Sequence, residues 1–246
     1  MSGYQGWTLE QHEQINNFNV RDHKLSRIIQ GMQQTGHHKW GFVVYRCTYS
    51  DDEAWLRYIQ YIKDQTIATL DFYGQQFLLE KYLDIPVVED PQQLDGASKP
   101  HVRALFAERA ERDRQTENGG PGSATFFGKM MPRFNYCVYV DKACLDTLLA
   151  LEEWNREREQ SGHQMEMPPS VVCAVIDTDC EPGGEGEDGY ESVEGCTRYF
   201  PGWMYSAADK LTTLYNRLHI QELTSDEQCY ERPPGVPFTG GERMPL

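Results

Sequence analysis

The sequence lacks any long apolar run. No window approaches the roughly 18 apolar residues of a membrane span, and the first ten residues, MSGYQGWTLE, hold no apolar signal core. It also lacks paired cysteines, because its seven cysteines are an odd number without the spacing of a disulfide framework. Free thiols are typical of a reducing compartment. We therefore expect a soluble cytoplasmic protein that does not contact a membrane.

The short motifs of several large enzyme classes are missing as well. Cys173, Cys180 and Cys196 form no C-x-x-C pair and have no histidine at ligand spacing, which argues against a structural zinc site. The sequence has no G-x-G-x-x-G after a strand, no G-x-S-x-G and no H-E-x-x-H. In GSATFFGKM, residues 122–130, the glycines are one residue too far apart for a phosphate loop, and Met130 replaces the magnesium-binding hydroxyl. We therefore expect neither a metal nor a cofactor.

Basic side chains are scarce. The chain has 23 lysines and arginines against 38 aspartates and glutamates, which gives a formal net charge of −15. Such a surface as a whole repels nucleic acid. Segment 99–142 is the exception, because it holds eight basic and five acidic residues and carries +3, whereas the rest of the chain carries −18. A polyanion is expected to dock only there, unless Arg109, Arg112 and Arg114 are ordinary charges of a helix surface.

Strand-like and helix-like segments alternate along the chain. Apolar runs at Trp40–Thr48, Phe134–Asp141 and Ser170–Asp179 predict strands, and the third is apolar enough for burial on both faces. Helical periodicity follows the first two strands, and a final helix is predicted to begin at Ser206. The pattern predicts an α+β fold, a mixed or antiparallel sheet with helices packed on one face, for which the ferredoxin-like arrangement is one candidate. A doubly wound α/β sheet is the alternative.

Composition divides the chain into three parts. Residues 1–38 are predicted to form a polar N-terminal extension with a helix over Val20–Met32. Residues 39–230 are predicted to form a single α+β domain that includes an acidic loop at 178–195. The Pro- and Gly-rich residues 231–246 are predicted to be a flexible tail.

A polar cluster follows the first strand in WGFVVYRCTYSDDEAW, residues 40–55. Ser50 and Glu53 have the S-x-x-E spacing of a capping box, in which each side chain satisfies the other's free backbone amide. Asp51 and Asp52 favour the first helical turn through the helix dipole. The cluster is therefore predicted to start a helix.

Arg46 is not explained by helix capping. It lies within an apolar strand and must reach either solvent or a carboxylate, because an unpaired buried cation is unfavourable. Tyr45 and Tyr49 lie beside it at the end of the same strand. The alternative reading is therefore that this polar cluster forms the rim of a functional site.

An acidic segment follows the third strand. Between Asp177 and Glu194 the chain holds eight carboxylates and no basic residue. Asp177 and Asp179 lie where the buried strand ends, and the crevice beyond strand ends is where ligands tend to bind in layered sheets. Carboxylates at such a position can hold a guanidinium in bidentate fashion or bind a metal ion. A solvated loop without a ligand is the alternative.

Three segments together carry a family resemblance. WGFVVYRCTYSDDEAW, PRFNYCVYVDKACLDTLL and GWMYSAADKLTTLY resemble a widespread group of fungal proteins, which we identify with the arginine-containing cyclodipeptide synthases. The similarity is one of overall pattern and spans roughly Trp40 to Tyr215. It includes no short catalytic signature, so it carries over no active-site residue.

The resemblance implies an enzyme of secondary metabolism. Such an enzyme takes an arginyl group from arginyl-tRNA and a second aminoacyl group from another tRNA, and closes them into a cyclo-Arg-Xaa diketopiperazine. An aminoacyl-tRNA ester is already activated, so the missing phosphate loop agrees with this chemistry. Holding two amino acids in attack geometry would provide much of the rate.

This reading assigns candidate roles to residues of three kinds. Side chains near strand ends are the candidates for catalysis and for the two amino-acid pockets, and the basic segment is the candidate tRNA surface. The catalytic candidates are Tyr45, Asp51 and Asp52; the substrate-binding candidates are Asp177 and Asp179 for arginine and Tyr49, Trp203 and Tyr205 for the second amino acid; the tRNA-binding candidates are Arg103, Arg109, Arg112, Arg114, Lys129 and Arg133.

Two other functions remain open at the level of sequence. The first is a non-enzymatic interaction module that binds a basic partner through the acidic segment 177–194. The second is a different small enzyme that uses carboxylates on a cationic substrate. Production of arginine-containing cyclic dipeptides would separate the synthase from both.

Overall fold

The computed structural model describes residues 9, 25–117, 126–161, 167–180, 188–225 and 230–245. Five strands form one sheet, and two more strands form a separate hairpin. In chain order the strands are β1 Val43–Arg46, β2 Val87–Val88, β3 Tyr136–Val140, β4 Val172–Asp177, β5 Asp188–Val193, β6 Cys196–Arg198 and β7 Trp203–Ala207.

Nine α-helices occur in the described ranges, and three of them exceed fifteen residues. They are α1 Ser26–Thr35, α2 Asp52–Phe72, α3 Gln76–Leu79, α4 Pro91–Leu94, α5 Lys99–Thr116, α6 Phe126–Lys129, α7 Pro132–Asn135, α8 Lys142–Ser161 and α9 Leu211–Arg217. Short 3₁₀ segments lie at Glu80–Tyr82 and Ala208–Lys210. No helix in the described ranges is both long enough and apolar enough to cross a membrane.

The sheet is mixed, with the strand order β2-β1-β3-β4-β7. β1 is parallel to β2 and β3, whereas β3 and β4, and β4 and β7, are antiparallel. This confirms the predicted α+β class and not the doubly wound alternative. The ferredoxin-like arrangement would place another strand between the two parallel strands of a split unit, whereas β1 pairs directly with β3.

Helices cover both faces of the sheet, rather than the single face predicted. On one face the ring of Tyr45 contacts Phe106 of α5, with 6.2 Å between ring centroids. On the other face Val44 and Val138 line a small internal space together with Ile62 of α2. Every residue of β1, β3, β4 and β7 is buried as a result.

Helix α2 begins one residue later than the capping box predicts. Its N-cap is Asp51, whose carboxylate accepts a hydrogen bond from the Ala54 amide at 2.8 Å. The Ser50 hydroxyl instead forms a hydrogen bond of 3.1 Å with the hydroxyl of Thr48. An aspartate is as good a cap as a serine, so the position of the strand end decides which of the two is used.

Both ends of the predicted domain are packed against it. In the predicted N-terminal extension, α1 buries Ile28 and Met32 in the core; the first part of its predicted helix, residues 20–24, lies outside the described residues. In the predicted loose tail, residues 233–237 are buried, and the Val236 amide donates to the Glu242 carbonyl at 3.0 Å. These backbone hydrogen bonds hold a segment whose composition alone is typical of a flexible chain.

Candidate functional site

A cleft of about 500 Å³ opens beside the sheet, on the face that α2 and α9 cover. Its floor is β7, its two walls are helices, and the C-terminal segment closes one side. The lining residues are Gln65, Ala68, Thr69, Phe72 and Tyr73 from α2 and its C-terminus, Met204 and Ser206 from β7, Asp209, Lys210, Thr213, Leu214 and Arg217 from the 3₁₀ segment and α9, and Pro237 and Phe238.

The α2 wall is one helical face. Gln65, Ala68, Thr69 and Phe72 are spaced by three or four residues and therefore lie on the same side of the helix. The Phe72 ring is 78% exposed and packs edge-on against Tyr73, with 5.0 Å between centroids. A large aromatic ring that remains in solvent at the rim of a cavity is a candidate contact for a ligand.

The opposite wall carries charge. The Lys210 ammonium lies 2.7 Å from the Asp209 carboxylate, and both side chains are partly exposed. Lys210, Thr213 and Arg217 are spaced by three and four residues, so they form a stripe along one side of α9. Two cations and one carboxylate thus line the same wall.

The third side of the cleft has an unusual backbone. Phe238 has a φ of +65°, the left-handed region that glycine and asparagine adopt more readily than an aromatic residue. Its ring is nevertheless 57% exposed, and the Arg217 guanidinium lies 5.9 Å from the ring centroid. A residue held in this conformation without burying its side chain points to a functional constraint.

The serine and threonine hydroxyl groups of the cleft are engaged with the backbone. The Ser206 hydroxyl donates to the Ala207 carbonyl at 3.2 Å, Thr69 donates to Gln65 at 2.8 Å, and Thr213 donates to Lys210 at 2.9 Å. None of these hydroxyls donates to a base, as an activated nucleophile would. Among the described residues, no group of three or more His, Cys, Asp or Glu is placed to hold a metal ion. The described residues of the cleft are therefore suited to binding and orienting a ligand.

None of the sequence-predicted site residues is among the described residues that line this cleft. Trp203 and Tyr205 come nearest, because they alternate along β7 with Met204 and Ser206 of its floor. Successive side chains of a strand point to opposite faces, so the two aromatic residues lie on the α5 side of the sheet.

On that side, Trp203 and Tyr205 surround a lysine of the protein itself. The Lys99 ammonium is buried, 4.1 Å from the Trp203 ring centroid, 4.9 Å from Tyr139 and 6.0 Å from Tyr205. Glu194, in the turn between β5 and β6, accepts its hydrogen bond at 2.5 Å. We call these five residues the Lys99 cage. Two of the three residues predicted for the second amino-acid pocket therefore surround an internal cation.

The three predicted catalytic residues have structural positions. Tyr45 is buried between β3 and α5, and burial raises the pKa of its phenol far above the ordinary value, so it stays protonated. Asp51 caps α2. Asp52 forms an ion pair with Arg46. Each of the three thus has a structural contact of its own, and none of them lines the cleft.

Tyr49 and Asp52 do bind an arginine, but it is Arg46 of the same chain. The Arg46 guanidinium lies 4.3 Å from the Tyr49 ring centroid and 5.1 Å from that of Trp55, and it also pairs with Glu89 at 3.4 Å. The prediction that this buried cation must find a carboxylate is confirmed. The polar cluster that follows β1 is therefore a helix cap joined to an ion-pair network.

Asp177 is held at the end of β4 by hydrogen bonds within the fold. Its backbone carbonyl accepts from the Arg103 guanidinium at 2.9 Å, and its carboxylate accepts from the Asp179 amide at 2.9 Å. Burial raises the pKa of the Asp177 carboxyl to about 6. Asp179 is exposed beside it. Residues 181–187 of the predicted acidic loop lie outside the described residues, and residues 188–193 form strand β5 rather than a loop.

Two of the six predicted tRNA-binding residues are buried. Arg103 also donates to the carbonyl of Gly202 at 2.8 Å, where a Cβ on Gly202 would lie 2.1 Å from the guanidinium. Arg133 pairs with Asp84 at 2.7 Å and with Glu117 at 2.8 Å. Both guanidinium groups bind acceptors inside the protein, because a buried cation without such partners is unfavourable.

The other four lie nearer the surface, and two of them are ion-paired. Arg109 pairs with Asp113 at 3.0 Å, and Arg114 pairs with Glu111 at 3.1 Å, both within α5. Arg112 is exposed on the same helix, and Lys129 is exposed at the end of α6. These arginines fit the alternative of ordinary helix-surface charges better than a continuous basic surface for a polyanion.

The cleft residues were missed for identifiable reasons. The final helix was predicted, but Ser206, its expected cap, belongs to β7, and α9 begins at Leu211 after a 3₁₀ turn. The spacing of Lys210, Thr213 and Arg217 was a visible signal. Phe72 and Phe238 gave none, because nothing local shows that their rings stay exposed.

Comparison of the chain with protein-family models, with curated proteins and with solved structures finds no match. Function is therefore inferred from the geometry of the cleft together with the family resemblance of the sequence.

Proposed function

We propose that the protein is a tRNA-dependent cyclodipeptide synthase that joins an arginyl group to a second aminoacyl group in the cleft. One observation carries the proposal: a single cavity of about 500 Å³ combines the Asp209 carboxylate, exposed aromatic rings and two cations. This volume lies within the range of small-molecule sites, roughly 300–1,000 Å³. The family resemblance of the sequence suggests the reaction, and the cleft offers side chains that suit the substrates of that reaction.

Asp209 is the carboxylate suited to arginine. Its side chain is 41% exposed at the cleft and is paired at present with Lys210, its neighbour in the chain. A guanidinium offers two parallel N–H donors to a carboxylate, which an ammonium does not. An incoming arginine side chain therefore competes well for Asp209. Phe72, Tyr73 and Leu214 provide apolar surface for the second amino acid.

The reaction needs no further activation. The α-amine of one aminoacyl group attacks the ester carbonyl of the other, an amide bond forms, the C–O bond to the ribose breaks, and the amine proton passes to the ribose oxygen. The same exchange within the dipeptidyl ester closes the six-membered ring and releases the second tRNA. An α-amine has a pKa of about 8, so roughly a tenth of it is neutral at pH 7 without any base.

We expect most of the rate enhancement to come from holding the two aminoacyl groups in the geometry of attack. Well-oriented intramolecular reactions gain about 7–11 kcal/mol from prepaid entropy. The serine and threonine hydroxyls of the cleft donate to backbone carbonyls, so direct aminolysis suits them better than a covalent aminoacyl-enzyme formed on one of them. Ser206→Ala is accordingly expected to retain product formation.

Purified protein tests the proposal directly. Incubation with arginyl-tRNA and a mixture of other aminoacyl-tRNAs is expected to yield cyclo-Arg-Xaa masses, and ribonuclease treatment of the tRNA is expected to abolish them. Asp209→Asn is expected to lower the yield at least about tenfold, because one bidentate charge-assisted contact is lost. Asp146→Asn is the matched control, since it removes another partly exposed aspartate–lysine ion pair, with Lys142 of α8.

The outcome that contradicts the proposal is also defined. Folded protein that makes no cyclic dipeptide from any aminoacyl-tRNA would favour the non-enzymatic acidic module. Equal losses in Asp209→Asn and Asp146→Asn would leave the synthase reaction in place but remove Asp209 from arginine recognition.

A further inference from the structure

We propose that the end of the cleft formed by Lys210, Thr213, Arg217 and Phe238 binds the unpaired 3′-terminal nucleotides of the tRNA. This inference rests on the proposed function and adds a docking site for the nucleic acid. It moves the tRNA contact from α5, where the sequence placed it, to α9.

The α9 stripe matches phosphate groups. Lys210 and Arg217 are seven residues apart on one side of the helix, which corresponds to about 10 Å along its axis. This distance allows the two cations to contact two successive phosphates of an extended strand. Thr213 lies between them and offers a hydroxyl oxygen.

The aromatic rings at the rim match nucleobases. Phe72 and Phe238 are 78% and 57% exposed, and both line the cleft. A groove that joins cations to exposed rings is the arrangement by which proteins hold single-stranded nucleic acid, because each base stacks and each phosphate meets a positive charge. The left-handed backbone at Phe238, with a φ of +65°, keeps one ring at this position.

A duplex does not fit the same surface. Double-stranded RNA presents phosphates over a broad face, and its binding requires many cations. The chain carries a net charge of −15, and on α5 Arg103 is buried. A concave cleft with two cations suits a strand end that inserts, leaving the helical part of the tRNA outside.

The order of groups along the wall agrees with an aminoacylated end. Asp209 lies beside Lys210, and Arg217 and Phe238 lie at the far end of the stripe. An arginyl group attached to the terminal ribose would place its side chain at Asp209 while the preceding nucleotides extend toward Phe238. The amino-acid and nucleotide contacts therefore belong to one continuous site.

A binding experiment without any aminoacyl group isolates this site. Two fluorescent RNA microhelices are compared by anisotropy, one with an unpaired ACCA 3′ end and one blunt. The overhang is expected to tighten binding at least about fivefold, the contribution of one stacked base. Phe238→Asn, which suits the left-handed backbone, and the pair Lys210→Gln with Arg217→Gln are each expected to remove this preference. Melting curves verify that the variants fold.

Arg112→Gln is the matched control, because it removes an exposed arginine from α5. It is expected to leave the preference for the overhang unchanged. Equal binding of both microhelices by the wild type, or loss of binding in Arg112→Gln but not in the α9 variants, would overturn the inference. Cyclic dipeptide formation with either result would leave the proposed function intact, whereas overhang binding without any product would refute the function alone.

Discussion

At the scale of single residues, burial displaces two titrations in opposite directions. Burial raises the pKa of Asp177 to about 6 and lowers the pKa of His219 to about 3. His219 has no room to hydrate, because its ring fills the space that a Cβ on Gly31 would occupy, only 2.4 Å away. Each group makes a separate contribution to the pH dependence of stability.

Asp177→Asn is expected to stabilise the protein at pH 7.5. The carboxyl has an ordinary pKa of 3.8 and a folded pKa of about 6, so its stabilising contribution is complete below pH 3.8 and is lost as the pH rises through 6. Asparagine removes the buried charge and still accepts from the Asp179 amide. Denaturant unfolding is expected to show a gain of about 3 kcal/mol at pH 7.5 and almost none at pH 4. A loss at both pH values would show that the ionised carboxylate is needed.

His219→Phe is expected to flatten the acid limb of the stability curve. Unfolded histidine takes up a proton near pH 6.5, whereas the folded side chain does so only near pH 3, so stability is lost as the pH falls between these values. One such group contributes a slope of about 1.4 kcal/mol per pH unit. Because Asp177 opposes this slope between pH 6 and 3.8, the difference between variant and wild type is the quantity to measure. Parallel curves would refute the buried neutral histidine.

At the scale of elements, the β5–β6 hairpin depends on one ion pair. Glu194 and Gly195 have φ values of +51° and +83°, as in a two-residue type I′ turn. Glutamate is an unusual residue there, and it pairs with the buried Lys99. The ion pair therefore explains a turn residue that backbone preference disfavours.

Glu194→Asn is expected to weaken the fold although asparagine suits the turn better. The change leaves the Lys99 ammonium buried without a carboxylate, which costs about 3 kcal/mol. Lys99→Met in the same chain is expected to restore most of this loss, because the cage rings then contact an apolar side chain. Urea unfolding of the single and double variants measures the coupling. Additive losses would indicate that the pair is unimportant.

The elements themselves were more predictable than their arrangement. Apolar runs and periodicity located β1, β3, β4 and the long helices, because these signals are local. The direct pairing of β1 with β3 depends on contacts distant in sequence, and no local pattern encodes it. The same limit separates the predicted site residues from the cleft: the aromatic residues of β7 were visible in the sequence, but not which face of the strand borders the cleft.

At the scale of the whole molecule, a net charge of −15 limits how nucleic acid can bind. Contact through two cations and a single strand predicts that the logarithm of the microhelix affinity falls with the logarithm of salt with a slope of about 1.4. Six cations on a duplex would give a slope of about 5. Anisotropy titrations between low and physiological salt distinguish these values, and a slope near 5 would restore the α5 surface.

Strand β7 lies at the end of the sheet and serves two environments at once. Its even-numbered side chains form the floor of the cleft, and its odd-numbered aromatic residues enclose the Lys99 ammonium. A substitution at Met204 that enlarges the cavity therefore also disturbs the packing of its neighbour Trp203. The cleft can be resized without this effect at Ala68 and Phe72 of α2, where a change of volume touches one environment only.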